Sequence, residues 1–379
     1  MSQKFYQEFK LGILGGGQLG RMLIQSGIDW NINFSILDPD PSAPCKSLAE
    51  FTTGKLTDYQ TVMDFGKSCD LITIEIENVN VSALKELERQ GKKVFPQPAV
   101  IELIQDKRIQ KQFYKDHQIP TADFILTENK EEVLKRKSFL PAVNKLGREG
   151  YDGRGVQILL TERDLEKAFE APSLLEKLID FDKEISVIVA RNEKGETKTF
   201  PAVEMVFHPA ANLVEYLFSP AAISKEVEKE ADAIAKKIIT DLNMVGLLAV
   251  EMFVTKDQKV LVNEIAPRPH NSGHQTIEAN VTSQYQQHLR AILNLPLGDT
   301  SIIQPSAMVN VLGEDGFSGL AKYNGLEEVL NRPGVYVHLY GKKLTKPFRK
   351  MGHVTIVDSD VERLKNTANF VKQTLKVTT

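Results

Sequence analysis

Cysteine is nearly absent: Cys45 and Cys69 are the only two in 379 residues. With no His or Cys clustered near either, they support neither a disulfide framework nor a zinc site. Long apolar runs are missing too, and none approaches the ~20 consecutive apolar residues needed to span a bilayer. The opening MSQKFYQEFKLGILGGG passes from polar residues straight into a short strand. It lacks the pattern of a signal peptide, so the cytoplasm is the expected compartment. Neither sign of charge prevails. The 47 Lys and Arg against 50 Asp and Glu leave a formal net charge of −3, which excludes a general attraction to nucleic acid or an anionic membrane. Internal repeats and low-complexity segments are likewise absent. What remains is 42% hydrophobic and 26% charged, the composition of an ordinary globular protein long enough for two or three domains.

The densest chemistry lies in residues 246–274, GLLAVEMFVTKDQKVLVNEIAPRPHNSGH. Two apolar runs, AVEMFVT and VLVNEIA, flank Lys256-Asp257-Gln258-Lys259 and read as a β-hairpin. A two-residue turn at Asp257-Gln258 predicts Glu251 directly opposite Glu264 on one face of the sheet, because side chains alternate with period two. Facing carboxylates repel unless a cation lies between them, and Mg²⁺ is held by one or two carboxylates plus substrate phosphates. The pair is read as offering Mg²⁺ to a nucleotide. The plainer alternative is an exposed hairpin with both glutamates in water, but the mostly apolar strands point to a covered sheet. Arg268, His270, Asn271 and His274 then crowd behind Pro267 and Pro269, a rigid polar loop at the end of a buried strand.

Earlier in the chain, KLGIL leads into Gly15, Gly17 and Gly20 in G-x-G-x-x-G spacing, then a helical period and the strand NFSILD ending at Asp38. This βαβ start fits a dinucleotide fingerprint; the same turn also forms wherever a helix N-terminus meets an anion. LITIEIENV reads as another strand, with Glu75 and Glu77 on one face near its C-terminal end. In a parallel sheet that end opens onto the ligand crevice. Two prolines in KVFPQPAV lead out of this unit. FLPAVNKL and VQILL read as hairpin strands around GREGYDGRG, whose backbone N–H groups can cradle phosphates, with Lys145 adding a point charge. This is no P-loop, since no GK[ST] follows and no helix begins there. SLLEKLI and KEISVIVARN read as strands, KEVEKEADAIAKKIITDLN as an amphipathic helix, and TSQYQQHLRAILNLPLG as a closing helix. SAMVNVLG, GVYVHLYG and MGHVTIVD are the last strands read. The basic run at 342–350 between the final two is either a solvated loop or a socket for a substrate phosphate.

In this order the motifs resemble those of ATP-grasp enzymes. GGGQLGRM, EIENV, GYDGRG, NEIAPRPHNSGH and RKMGH together, over nearly the whole chain, are similar to the N5-carboxyaminoimidazole ribonucleotide synthetase family of de novo purine biosynthesis. The combination of NEIAPRPHNSGH with a late RKMGH is the specific part. The resemblance implies α/β and α+β architecture: an N-terminal Rossmann-like (preATP-grasp) domain over 1–105, an ATP-grasp domain over 106–298 with a glycine-rich lid near 122–185, and a small C-terminal β-rich domain over 299–379. It also implies a ligase that uses ATP and bicarbonate to carboxylate 5-aminoimidazole ribonucleotide through carboxyphosphate, releasing ADP and phosphate.

Site roles follow from the same resemblance. Arg108, Lys145, Gly150, Tyr151, Asp152, Gly153, Arg154 and Gly155 would surround ATP, with Glu176, Lys177, Leu178, Ile179, Glu184, His208, Asn263 and Glu264. Glu251 and Glu264 would hold Mg²⁺. Tyr151, Arg268, His270 and Lys350 would meet bicarbonate and carboxyphosphate. Gln18, Glu75 or Glu77, Lys342, Arg349 and Lys350 would face the ribonucleotide. The implied partners are these small molecules and a second copy of the chain, a homodimer. Three positions depart from the family pattern. Leu146-Gly147 follows Lys145 where Thr-Arg is usual, Val156 separates GYDGRG from Gln157, and Phe348 replaces a glycine before Arg349. Rival readings are a nicotinamide oxidoreductase, resting on the glycine turn and Asp38, a formate-dependent glycinamide ribonucleotide transformylase, and a non-catalytic nucleotide sensor.

Overall fold

Leu11, Gly12, Ile13 and Leu14 are all buried, as expected of a strand covered on both faces. The computed structural model describes residue 6 and residues 8–148, 150, 155–207 and 214–379. In it β1 (Lys10–Leu14) is the middle of a five-stranded parallel sheet. The other strands are β2 (Asn33–Asp38), β3 (Glu50–Thr53), β4 (Leu71–Ile74) and β5 (Lys93–Val94), in the order β3-β2-β1-β4-β5. Helix α1 (Gln18–Gly27) buries Leu19, Met22, Leu23 and Ile24 against Leu11 and Ile13. Helices α2 (Tyr59–Lys67) and α3 (Val81–Arg89) cover the other face through Val62, Leu84 and Leu87. β4 stops at Ile74, short of the strand that LITIEIENV predicts. The Glu75 N–H still bonds Leu14 O at 2.8 Å, after which the chain bends away.

Pro98 starts α4 (Pro98–Ile104), where its missing N–H costs nothing. Asp106 then caps α5 (Lys107–Asp116) through the N–H of Arg108. A four-stranded sheet follows, made of β6 (Phe124–Thr127), β7 (Ala142–Leu146), β8 (Val156–Leu159) and β9 (Ser173–Lys177), in the order β6-β9-β7-β8. Between β6 and β7, α6 (Lys130–Leu134) places Val133 in the small core of Ala142, Leu159 and Leu175. β7 and β8 form the predicted hairpin. Tyr151, Asp152, Gly153 and Arg154 of its loop, and His208, lie outside the described residues.

The remaining strands are β10 (Phe181–Arg191), β11 (Thr197–Thr199), β12 (Val203–Phe207), β13 (Val214–Ser219), β14 (Gly246–Thr255), β15 (Val260–Ala266), β16 (Ser306–Leu312), β17 (Gly319–Leu320), β18 (Lys322–Asn324), β19 (Val335–Leu339), β20 (Leu344–Thr345), β21 (Lys350–Val357) and β22 (Lys376–Thr378). Among the described residues nine of them form one sheet, in the order β15-β14-β10-β12-β13-β16-β21-β19, with β11 beside β10. The C-terminal strands therefore continue the central sheet through the β13–β16 ladder instead of forming a sheet of their own. Helix α7 (Lys225–Asp241), capped by Ser224, buries Val227, Ala231, Ile234, Ala235 and Ile238 against Val187, Val189, Leu248 and Val250. After α8 (Thr276–Ala279), α9 (Gln284–Ile292) packs on the opposite face. Its Tyr285 and Leu289 also reach Leu23, joining the first sheet to the second. Helices α10 (Leu326–Leu330) and α11 (Val361–Thr374) cover β16 and β21.

Candidate active site

Glu251 and Glu264 are direct partners across β14 and β15. Two departures from the expected hairpin cancel to give this. The turn is a three-residue loop, Lys256 to Gln258, closed by Thr255 N–H to Lys259 O at 2.9 Å, with Gln258 at φ 65°. That register pairs Met252 with Val262 and would leave Glu264 out of step. Asn263 is the extra residue of a bulge, which restores the pairing of Glu251 with Glu264. A bulge sets two residues against one, so Asn263 and Glu264 both address the site. Asn263 Oδ1 accepts from Lys145 Nζ at 2.8 Å, and Glu264 pairs with Lys107 at the start of α5.

On β10, Ser186 lies opposite Glu251 and Glu184 stands two residues earlier on the same face. Three carboxylates thus share one patch. Burial, reinforced by Glu264 and Glu184, raises Glu251 well above the usual carboxylate range. Glu184 is pushed up to about 7, first by burial and then by Glu264. Burial acts the same way on Glu264, but Lys107 and Lys145 overcome it and hold that carboxyl low. Such a patch suits a hard cation. Its donors are all oxygen, while among the described residues no group of three or more His, Cys, Asp or Glu is placed to hold a metal by itself. Two carboxylates completed by phosphate oxygens fit Mg²⁺.

The loop after β15 is fixed from several sides. Arg268 Nε lies 2.9 Å from Glu77 Oε1, and His270 Nε2 is 3.4 Å from Glu251 Oε1. Both backbone groups of His270 are held by the buried Gln284 side chain: its Oε1 accepts from His270 N at 2.8 Å and its Nε2 donates to His270 O at 2.7 Å. Gly273 is required here, since a Cβ would sit 2.5 Å from Gln284 Oε1. The Asn271 and Asn310 amides exchange two hydrogen bonds of 2.9 Å, tying the loop to β16. Ser272 Oγ lies 2.8 Å from Ser186 Oγ and 2.9 Å from His270 Nδ1.

At the glycine turn, protein carboxylates accept from the backbone N–H groups. Asp38 Oδ2 accepts from Gly16 N at 2.6 Å and Glu75 Oε1 from Leu19 N at 3.2 Å. A Cβ on Gly17 would lie 2.3 Å from Glu75 Oε1. These contacts take two of the N–H groups on which the nicotinamide reading rested. Gln18 is the first residue of α1 beside this turn. In the basic run, Lys342 Nζ donates to Lys350 O at 2.8 Å and Arg349 Nη1 to Leu344 O at 2.7 Å. Phe348 has φ 61°, so it keeps a left-handed backbone where the family pattern has glycine.

On the lid side, Arg108 pairs with Glu128. Glu176 bridges Lys145 and Lys111, each at 2.6 Å. Lys177 and Leu178 give their N–H groups to Asp123 O and Pro141 O at 2.8 and 3.1 Å. Gly147 lets α5 close on β7: Lys107 N donates to Gly147 O at 2.8 Å, and a Cβ there would lie 3.0 Å from Arg108 Cδ. Sequence reasoning missed Lys107, Lys111 and Gln284. The first two had a signal: with Tyr114 they share one stripe of α5, at i, i+4 and i+7, and that stripe points inward.

Three family models cover the chain in order: the ribonucleotide synthetase preATP-grasp domain over 9–105, the ATP-grasp domain over 112–285, and the phosphoribosylaminoimidazole carboxylase C-terminal domain over 306–367. The crystal structure of N5-carboxyaminoimidazole ribonucleotide synthetase from Thermotoga maritima is 42% identical, with a TM-score of 0.90 over 98% of this chain and 99% of that one. The chain belongs to the N5-carboxyaminoimidazole ribonucleotide synthetase family. Another member of that synthetase family, from Aspergillus clavatus, was solved with ADP and 5-aminoimidazole ribonucleotide. It is 32% identical, with a TM-score of 0.87 over 96% of this chain and 98% of that one. Phosphoribosylaminoimidazole carboxylase of Candida glabrata is 39% identical over 95% of this chain, which spans 65% of that longer relative. Among the described residues, no helix is long and apolar enough to cross a membrane.

Proposed function

We propose that this chain carboxylates 5-aminoimidazole ribonucleotide, using ATP and bicarbonate and releasing ADP and phosphate. The observation that carries this reading is the Glu251–Glu264 patch facing His270 in a chain that matches, over nearly its full length, a relative solved with ADP and the ribonucleotide. Bicarbonate is a poor electrophile. One of its oxygens attacks the γ-phosphorus, ADP leaves, and the carboxyphosphate formed carries phosphate as a leaving group. The amine nitrogen of the ribonucleotide then bonds to the carboxyl carbon, directly or as released CO₂, as phosphate and a proton depart.

Phosphoryl transfer depends mostly on positioning and charge. Lys145, the 150–155 loop, Arg108, residues 176–179, Glu184, His208 and Asn263 hold ATP in this reading. Glu251 and Glu264 would hold Mg²⁺, which when bound neutralises charge on the transferring phosphoryl group. Arg268, aligned by Glu77, and His270, fixed by Gln284, orient bicarbonate, with Tyr151 and Lys350 beside them. Gln18, Glu75, Lys342 and Arg349 take the ribonucleotide. Functional units of 1–105, 106–298 and 299–379, a homodimer and a cytoplasmic location complete the proposal.

The test is ADP release with Mg²⁺ and bicarbonate, with and without 5-aminoimidazole ribonucleotide. A sharp rise on adding the ribonucleotide is expected. Equal stimulation by glycinamide ribonucleotide and formate would move the assignment to the transformylase. ATP binding without substrate-dependent turnover would make the chain a sensor.

A further inference from the structure

Lys111 is 3% exposed, and the reaction above gives it no part. Its Nζ lies 2.6 Å from Glu176 Oε1, while Glu176 Oε2 lies 2.6 Å from Lys145 Nζ. Glu176 is itself only 4% exposed. Two ammonium groups therefore share one carboxylate away from water, and this trio holds one surplus positive charge; the next anion, Glu264, is shared by Lys145 with Lys107. Buried charge that is only partly compensated is costly, and a surplus met by a share of one neighbouring carboxylate leaves room for a further anion.

The two lysines are not equivalent. Lys111 is backed by protein oxygens: it contacts Thr121 Oγ1 and lies 3.5 Å from Val262 O, to which Thr121 Oγ1 donates at 2.6 Å. The Lys145 side chain is the more exposed of the two and has the neutral Asn263 amide as its other partner, one residue from Glu264. The surplus is thus presented on the Lys145 side, towards the carboxylate patch. Burial, which alone would raise the Glu176 carboxyl, is outweighed by Lys145 and Lys111, and it stays ionised between them.

We infer that Lys111 is a positioning residue for the nucleotide: by holding one oxygen of Glu176 it prevents a closed neutral pair with Lys145, and so leaves the Lys145 charge available to a nucleoside polyphosphate. This rests on the proposed place of Lys145 at the ATP phosphates. With Lys111 removed, Glu176 and Lys145 neutralise each other. With Glu176 also neutralised, the surplus charge returns. ADP affinity should follow that charge.

Calorimetric titration of the full chain with Mg·ADP, which needs no turnover, tests this on Lys111→Met, Glu176→Gln, their double variant and Lys145→Met. Lys111→Met should weaken ADP binding about tenfold, a typical coupling within one ion network. The double variant should bind ADP several-fold more tightly than Lys111→Met, a rescue that a merely structural lysine would not show. It also serves should Lys111→Met unfold, since removing both partners of a buried pair is tolerated far better than removing one. Parent-like binding by folded Lys111→Met, or a double variant no better than it, would overturn the inference. Lys145→Met should lose binding. Parent-like affinity in that variant would overturn the placement of Lys145, and the inference with it.

Discussion

Glu75 points a carboxylate oxygen at the backbone N–H of Leu19, 3.2 Å away, at the first turn of α1. The unpaired N–H groups of a helix start favour an acceptor there, and the protein supplies its own. A Cβ at Gly15 would come within 2.6 Å of Glu75 Oε2, and one at Gly17 within 2.3 Å of its Oε1. These two glycines make room for a glutamate.

That contact has a pH signature. Burial, opposed by Arg268 and the Leu19 N–H, raises the Glu75 carboxyl to about 7. An acid bound more tightly to its proton when folded contributes stability that is complete below the unfolded-state pKa of about 4.3 and is lost as pH rises through the folded value. Glu75→Gln cannot ionise, so it should flatten the fall in stability between about pH 5 and pH 8, a difference on the order of 1–3 kcal/mol. Urea midpoints across that range decide it; equal slopes in both proteins would assign the proton elsewhere.

The two facing glutamates should respond oppositely in metal-free protein. Glu264 is the partner of Lys107, so Glu264→Gln strands a largely buried ammonium and should lower stability by about 1–2 kcal/mol. Glu251 is crowded by Glu264 and Glu184, so Glu251→Gln should stabilise by up to ~1 kcal/mol. Both should reduce ADP formation at least ~100-fold, on the scale of losing one electrostatic group at a transition state. Thermal melts in chelator, beside turnover assays, separate the two effects. A stabilised Glu264→Gln would mean that carboxylate repulsion outweighs the lysine pair.

In the proposed reaction Arg349 would anchor the ribonucleotide phosphate and Lys350 would also serve the chemistry. Guanidinium suits bidentate phosphate binding, and an ammonium acts as a compact charge. Arg349→Ala should raise the KM for 5-aminoimidazole ribonucleotide and largely spare kcat. Lys350→Ala should depress kcat as well, by removing stabilisation present only in the transition state. Varying ribonucleotide and bicarbonate separately reads this out. Parent kinetics in both would return the basic run to a solvated loop; reversed effects would exchange the roles.

Phe348 offers a test of backbone strain. At φ 61° a residue with a Cβ is strained by about 1 kcal/mol relative to glycine, and its ring is 37% exposed. Phe348→Gly should therefore raise the thermal midpoint by about one degree. A fall would show that the ring's packing outweighs the strain.

The sequence made the hairpin readable through its alternation, yet its geometry depended on features no local pattern carries. A two-residue turn and an unbroken ladder predict the same Glu251–Glu264 pair that a longer turn and the bulge at Asn263 produce. Ile74 and Ile76 suggested that strand β4 continues through Glu75, because β-propensity cannot register the glycines that draw its side chain aside. Lys107 and Lys111 lay in a helix with many charges. Only its tertiary setting, below Asn263 and Glu264 and beside Glu176, turns two of those charges inward.

The ladder between β13 and β16 has a further consequence. A cut between residues 298 and 306 looks harmless along the chain, because it falls in a connecting segment. In space it would leave two long strands with bare N–H and C=O rows, the kind of edge that recruits other chains. The last fifth of the molecule is therefore not an exchangeable part. A graft from a relative would have to bring β13 together with β16, and the two pieces expressed separately should aggregate unless each meets the other first.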